Sequence, residues 1–148
     1  MKKNINNPSD KKEVFGRLDK LTPDTKPQWG KMNVNQMLHH VSTAANFAFA
    51  EKAPEKKPSF FTRIFMKWMV MNLNAPKGAK TLDGLDMVAL GVNPEDFYNE
   101  RKAVKDVFDK VSAANKFQIN PFLGELTKEE WGQLCYVHSN HHLKQFGV

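Results

Sequence analysis

Residues 126–148 read LTKEEWGQLCYVHSNHHLKQFGV, and their pattern decides the fold. Thr127 followed by Glu130 makes a capping box: the Thr hydroxyl accepts a first-turn N–H and the Glu side chain reaches back to the cap N–H. A helix therefore starts here. At about 100° per residue, Trp131, Leu134, Cys135, His138, His142 and Gln145 fall on one side. Two histidines thus stand one turn apart inside an apolar stripe, while His141 lies nearer its edge. Imidazoles at i and i+4 can converge on one metal ion, each giving one ring nitrogen. They can equally be core histidines hydrogen-bonded to backbone, and this helix by itself leaves both readings open.

Working outward from that helix, a third imidazole is the feature to look for. Asn33 with Gln36 makes a second capping box, which predicts a helix from Val34 to about Ala50. Val34, Met37, Leu38, Val41, Ala45, Ala48 and Phe49 form its apolar face, and His39 and His40 flank that face on opposite sides. His40 shares its side with Met37, Ala44 and Phe47, whereas His39 sits with Asn35, Gln36 and Thr43. His40 is therefore the inward one, and with His138 and His142 it would complete a three-imidazole site between two helices.

Three further helices are predicted. The first follows Asn7-Pro8, with Val14, Phe15, Leu18 and Leu21 as its stripe, and Thr22-Pro23 ends it. Residues 59–73, SFFTRIFMKWMVMNL, are apolar nearly all round except for Arg63 and Lys67. Such a helix is buried on most sides, by its own bundle and by a second subunit, or lines an apolar pocket; core is the first reading, and an amphipathic membrane contact or partner face the second. Asn93-Pro94-Glu95 reads as the start of another, Asn as N-cap and Pro in the first turn, running through Phe97, Val104, Val107, Phe108 and Val111 to about Ala114. Residues 74–92, rich in Gly and Pro, read as a connector. No strand-like alternation and no internal repeat is present.

The 148 residues, 41% hydrophobic and 26% charged, fit a single globular domain spanning 1–148. Four sizeable helices plus a short N-terminal one predict an all-α four-helix bundle, a fold in which metal sites are built from inward side chains of facing helices. The net charge of +6 comes mostly from the first half of the chain. Its densest run, EKAPEKKP at 51–58, lacks interleaved aromatics or a glycine cradle and reads as a solvated loop, against a nucleic-acid partner. No window approaches the roughly 18 apolar residues of a membrane span, and the N-terminus lacks the apolar core of a signal peptide, which predicts a cytoplasmic protein. The single cysteine, Cys135, fits a reducing compartment and, on a buried face, reads as packing.

The stretch MNVNQMLHHVSTA at 32–44 and the motif HxxHHLxQF at 138–146 carry a resemblance. Together they resemble the DinB/YfiT-like superfamily of metal-dependent enzymes, and the closing motif resembles a branch known as a domain of unknown function. The likeness runs from about Trp29 to Gly147. It implies a four-helix bundle, often a homodimer, with a histidine triad binding a divalent metal. By position, the first-helix histidine of the family falls on His40 and its paired histidines on His138 and His142. Better-known relatives are thiol-dependent S-transferases and an isomerase that uses a low-molecular-weight thiol. The resemblance therefore implies zinc, nickel or iron at the triad, acting in thiol-dependent transfer or metal-assisted hydrolysis of a small molecule. The alternative is a non-catalytic bundle that binds an apolar ligand or partner and keeps its histidines for structure.

Overall fold

The computed structural model describes residues 2–50, 59–72, 76 and 84–148. The Lys- and Pro-rich stretch at 51–58 and the part of the expected connector at 74–75 and 77–83 lie outside the described residues. The elements are helices: α1 (Pro8–Leu18), α2 (Val34–Asn46), α3 (Phe60–Asn72), α4 (Phe97–Ala113) and α5 (Lys128–Gln145). Among the described residues there is no strand, only one isolated bridge between Asn120 and Gly124.

Local chemistry sets the helix starts. Asn7 caps α1 through Ser9 N, and both predicted capping boxes are present, Asn33 with Gln36 on α2 and Thr127 with Glu130 on α5. Two expected boundaries move. Helix α4 begins at Phe97, because Asp96 is the residue whose side chain accepts from Asn99 N. Asn93 instead accepts from the Asn33 side chain, and the Pro94 carbonyl accepts from Asn35 Nδ2. Helix α2 stops at Asn46, and Phe47 to Phe49 form a turn rather than the predicted last turn of helix.

Helix α5 packs against each of the other four, while α2 and α4 share the most extensive contact. Trp131, Phe108, Leu38, Met37 and Leu143 are among the fully buried side chains between them. A glycine in mid-helix usually costs stability. Gly132 has a reason: Ile5 N donates to its carbonyl at 3.2 Å, and a Cβ there would meet Asn4 Oδ1 at 2.0 Å. The N-terminal segment is thus strapped along α5 with Ile5 buried beneath it.

Helix α3 departs from expectation. Only Met71 is buried, and a row of large apolar residues is exposed, from 52% at Ile64 to 81% at Phe61. The expectation that most of its surface is covered within its own chain is therefore corrected. The opposite face behaves as a pocket wall, since Met66, Met69 and Val70 line a cavity. Lys67 holds the helix to α5 through Glu130 at 2.6 Å.

Candidate metal centre

The capping boxes start α2 and α5, and the burial of their apolar faces turns His40, His138 and His142 toward one another. Their candidate ligand atoms all lie within 4.8 Å of one another. His40 Nε2 is 2.8 Å from His138 Nε2, and His142 Nε2 is 3.2 Å from the same atom. The three ring centroids are 4.7 to 4.8 Å apart and the rings are mutually inclined by 66° to 79°. His40 and His142 are buried and His138 is nearly so.

Proton counting shows what is unusual in this cluster. His40 Nδ1 lies 2.8 Å from the Leu85 carbonyl, which can only accept, so the proton is on Nδ1 and Nε2 carries a lone pair. Gln145 donates its Nε2 to the Trp29 carbonyl at 2.8 Å, which leaves its Oε1, 2.8 Å from His142 Nδ1, to accept. His142 is then also an Nδ1–H tautomer with a lone pair on Nε2. Two lone pairs therefore face His138 Nε2, which has at most one proton to share between them. A cation at the centre satisfies all three nitrogens; a proton does not.

Electrostatics keep the rings in the ligand form. Burial, then the neighbouring His142 and His40 charges, hold His138 well below the usual imidazole range. Burial and His40 push His142 down to about 3. His40 is lowered too, by burial, although its bond to Leu85 works the other way. All three are neutral near pH 7, as metal ligation requires.

The donor set fits a metal. With zinc–nitrogen bonds of about 2.0–2.1 Å, nitrogens on a tetrahedral ion are roughly 3.4 Å apart, so the two short edges of 2.8 and 3.2 Å are close to that spacing. The outer hydrogen bonds to Leu85 and Gln145 are those that fix tautomer and ring direction at metal sites. Gly30 permits one of them: its φ is 86°, and a Cβ there would meet Gln145 Nε2 at 2.4 Å. The loop also bonds through Gln28 N to the Gln145 carbonyl at 2.7 Å.

The remaining candidates sort clearly. His39 points to α4, where its Nδ1 meets Glu100 at 3.0 Å. His141 is half-buried, edge-on to His142 and to Trp29, and outside the three-residue cluster. Cys135 is buried and its thiol is pushed up to about 12, so it stays protonated and packs. Sequence reasoning placed Gln145 on the right face without its role; Leu85 and Trp29 act through backbone carbonyls, which leave no mark in a sequence.

A cavity of about 550 Å³ opens beside His138, walled by α2, α3, α5 and the loop before α5. His138 and His141 reach its surface among Phe47, Met66, Phe122 and Leu134. No helix among the described residues is long and apolar enough to cross a membrane.

Fold and site thus define a class: an all-helical protein with a buried cluster of three imidazoles at the wall of an apolar cavity. The chain belongs to the family of proteins of unknown function DUF1569, whose family model matches residues 4–147. No curated protein and no solved structure matches it.

Proposed function

We propose that the chain is a single-domain DinB-like four-helix bundle, α2 to α5 with α1 as the extra helix, that holds one divalent metal ion on His40, His138 and His142. The ion would serve a reaction on a small molecule seated in the adjoining cavity. One observation carries this reading: three neutral imidazole nitrogens converge with too few protons to satisfy one another. Zinc, nickel and iron are the metals this all-imidazole set suits. When bound, such an ion lowers the pKa of a water or thiol, or polarises a carbonyl.

The residues of the chain do the rest. Leu85 and Gln145 aim the imidazoles, burial keeps them unprotonated, and the apolar wall excludes water from the reacting group. Among the described residues the cavity lining contains no Asp or Glu, so no carboxylate there stands ready as a general base. That favours a reaction whose nucleophile is activated at the metal, a thiol-dependent S-transfer or a metal-assisted hydrolysis. With Cys135 buried and protonated, the thiol would be a low-molecular-weight cosubstrate entering from solvent. The one cysteine also accords with a cytoplasmic address. The exposed row on α3 suits a homodimer contact.

Protein prepared without a histidine tag is expected to carry about one metal ion per chain. Saturating metal at 100 times its Kd stabilises a fold by about 2.7 kcal/mol, or roughly 5–10 °C in Tm for a chain of this size, and chelator should reverse it. His138→Ala should abolish the shift and His39→Ala should keep it. Equal behaviour of the two variants would remove the triad. The reaction is tested by offering low-molecular-weight thiols and an electrophilic reporter to metal-loaded protein. Turnover that survives His142→Ala would take the reaction away from the triad, and no turnover in the metal-loaded protein would leave a ligand-binding bundle instead.

A further inference from the structure

We infer that the cavity beside His138 takes an apolar molecule whose polar group is a neutral carbonyl oxygen, and that Asn120 is the residue that recognises it. This names the substrate class of the proposed site; it rests on that reading for reactivity, though not for binding.

Asn120 is 5% exposed and lines the cavity. Its Oδ1 is spent inside the loop, accepting from Phe122 N and Leu123 N at 3.0 Å each. Its backbone is spent too, in a reciprocal pair with Gly124 at 2.9 and 3.0 Å. The Nδ2 amide group, with two N–H donors, has no hydrogen-bond partner among the described residues. Trp131, another lining residue, is fully buried, and its indole N–H is likewise unpaired among the described residues. A buried donor without an acceptor is uncommon and costly, as at the Trp131 indole, whereas the Asn120 amide keeps some exposed surface in a residue that lines the cavity, where an acceptor can reach it.

The acceptor that belongs there is set by the rest of the lining. Apart from Asn120, its polar side chains among the described residues are His138, Asn140, His141 and Lys144, with no carboxylate and no hydroxyl. The Asn140 oxygen is already taken by Arg17 at 2.8 Å. Among the described lining side chains a ligand amine would find no carboxylate or hydroxyl to accept its protons, only imidazole nitrogens and the already engaged amide oxygens. Without a metal at His138, a carboxylate would have to give up its hydration for a neutral amide, because the single cation among the described lining side chains, Lys144, is itself exposed. A ketone, ester or thioester oxygen needs only the donors Asn120 offers. The cavity volume falls among those that enclose drug-sized ligands, roughly 300–1,000 Å³, so an apolar body of ten or so carbons is accommodated.

The test is calorimetric titration of the chelator-treated protein with 2-decanone, decanoate and decylamine, so that no metal at His138 can hold the carboxylate. The ketone should bind at least tenfold tighter than either charged homologue. Asn120→Asp keeps the oxygens that cap the loop and turns the donor into an acceptor; it should weaken the ketone about tenfold, the effect of one lost hydrogen bond at a buried group. Equal binding of the amine, tighter binding of decanoate, or an unchanged affinity in Asn120→Asp would each overturn the inference. The ligand series on the unaltered protein decides the matter even if the variant folds poorly. Measuring metal uptake and ketone binding side by side on the unaltered protein separates the two readings: ketone binding by a chain that takes up no metal refutes the metal centre alone, and metal uptake without ketone binding refutes the carbonyl site alone.

Discussion

Helices α3 and α5 invert the usual relation between composition and burial. Nine of the thirteen residues of α3 are apolar, yet Met71 is its one buried residue. Helix α5 is the more polar of the two, yet it buries Ser139, His142 and Gln145 along with Trp131 and Leu143. The cause is position. Helix α5 has neighbours on every side, whereas α3 rests chiefly on α5. A polar group that is buried needs a partner, and most of those on α5 have one: Ser139 donates to the Cys135 carbonyl at 2.7 Å, Gln145 spans His142 and Trp29, and His142 meets Gln145 and His138, while the Trp131 indole N–H is unpaired among the described residues. Apolarity on α3 is surface held in reserve, while polarity on α5 is chemistry enclosed in the core.

The sharpest way to break that contrast is to remove one tryptophan from each helix. Trp131 is fully buried and Trp68 is 54% exposed. Trp131→Ala should cost about 3–5 kcal/mol, the range for emptying a large aromatic site, and Trp68→Ala no more than about 0.5 kcal/mol, as for a surface change. Urea unfolding measures both. Similar losses would mean that α3 is covered by its own chain after all.

Acid is the next lever, and from about pH 6.5 downward it acts first on the imidazoles of α5 and their partner His40, before the lowered carboxyls of Glu13 and Glu130 take up protons. In the folded metal-free protein the three imidazoles titrate below the unfolded value near 6.5, His142 down to about 3. Between those limits the unfolded chain binds more protons than the folded one, so stability rises with pH. It is complete above about 6.5 and is lost as the pH falls toward 3. Metal-free protein followed by circular dichroism should therefore lose stability across that window, and His40→Phe should flatten the slope. A slope unaltered in that variant would place the acid sensitivity elsewhere.

A smaller effect separates the ligands from what aims them. Gln145→Ala removes the acceptor of His142 Nδ1 and frees that ring to take the other tautomer. Loss of such an outer hydrogen bond typically costs 10–100-fold in metal affinity, and competition with a chromogenic chelator should report a weakening in that range. Full affinity in the variant would mean that burial alone orients His142.

How much of this was legible in the chain depends on the kind of signal each feature leaves. Thr127 with Glu130 and Asn33 with Gln36 speak through short-range hydrogen bonds, and both boxes form as read. The spacing of His138 and His142, with His40 on the apolar side of its helix, is helical geometry and was equally open to inspection. The start of α4 was not, because Asn93, Asp96 and Pro94 all carry start signals, and the choice depends on Asn33 and Asn35 of another helix claiming the first and last of them. Nor was the exposure of α3, since a run such as FFTRIFMKWMVM at 60–71 states what it would gain by burial but not whether a neighbour exists. Leu85, Trp29 and Gly30 serve the site through backbone position, which no side-chain pattern encodes.

The last prediction concerns that exposed face. Phe60, Phe61, Ile64, Phe65 and Trp68 follow i, i+1, i+4, i+5, i+8 and so form one continuous stripe. A large aromatic side chain buries about 150–250 Å², and these residues are roughly half exposed, so the stripe offers on the order of 600 Å² per chain. Two such stripes meeting across a twofold axis would bury about 1,200 Å², the lower edge of specific interfaces. Association through α3 should therefore be weak and concentration-dependent. Light scattering should show monomer at low micromolar protein and a growing dimer fraction above it, and Phe61→Asp with Phe65→Asp should hold the chain monomeric while changing its unfolding free energy by no more than about 0.5 kcal/mol per site. Wild-type protein that stays monomeric at high concentration would discard the dimer. A double variant that loses stability by several kcal/mol would show instead that the stripe is covered within the chain, and the contrast between α3 and α5 would fall with it.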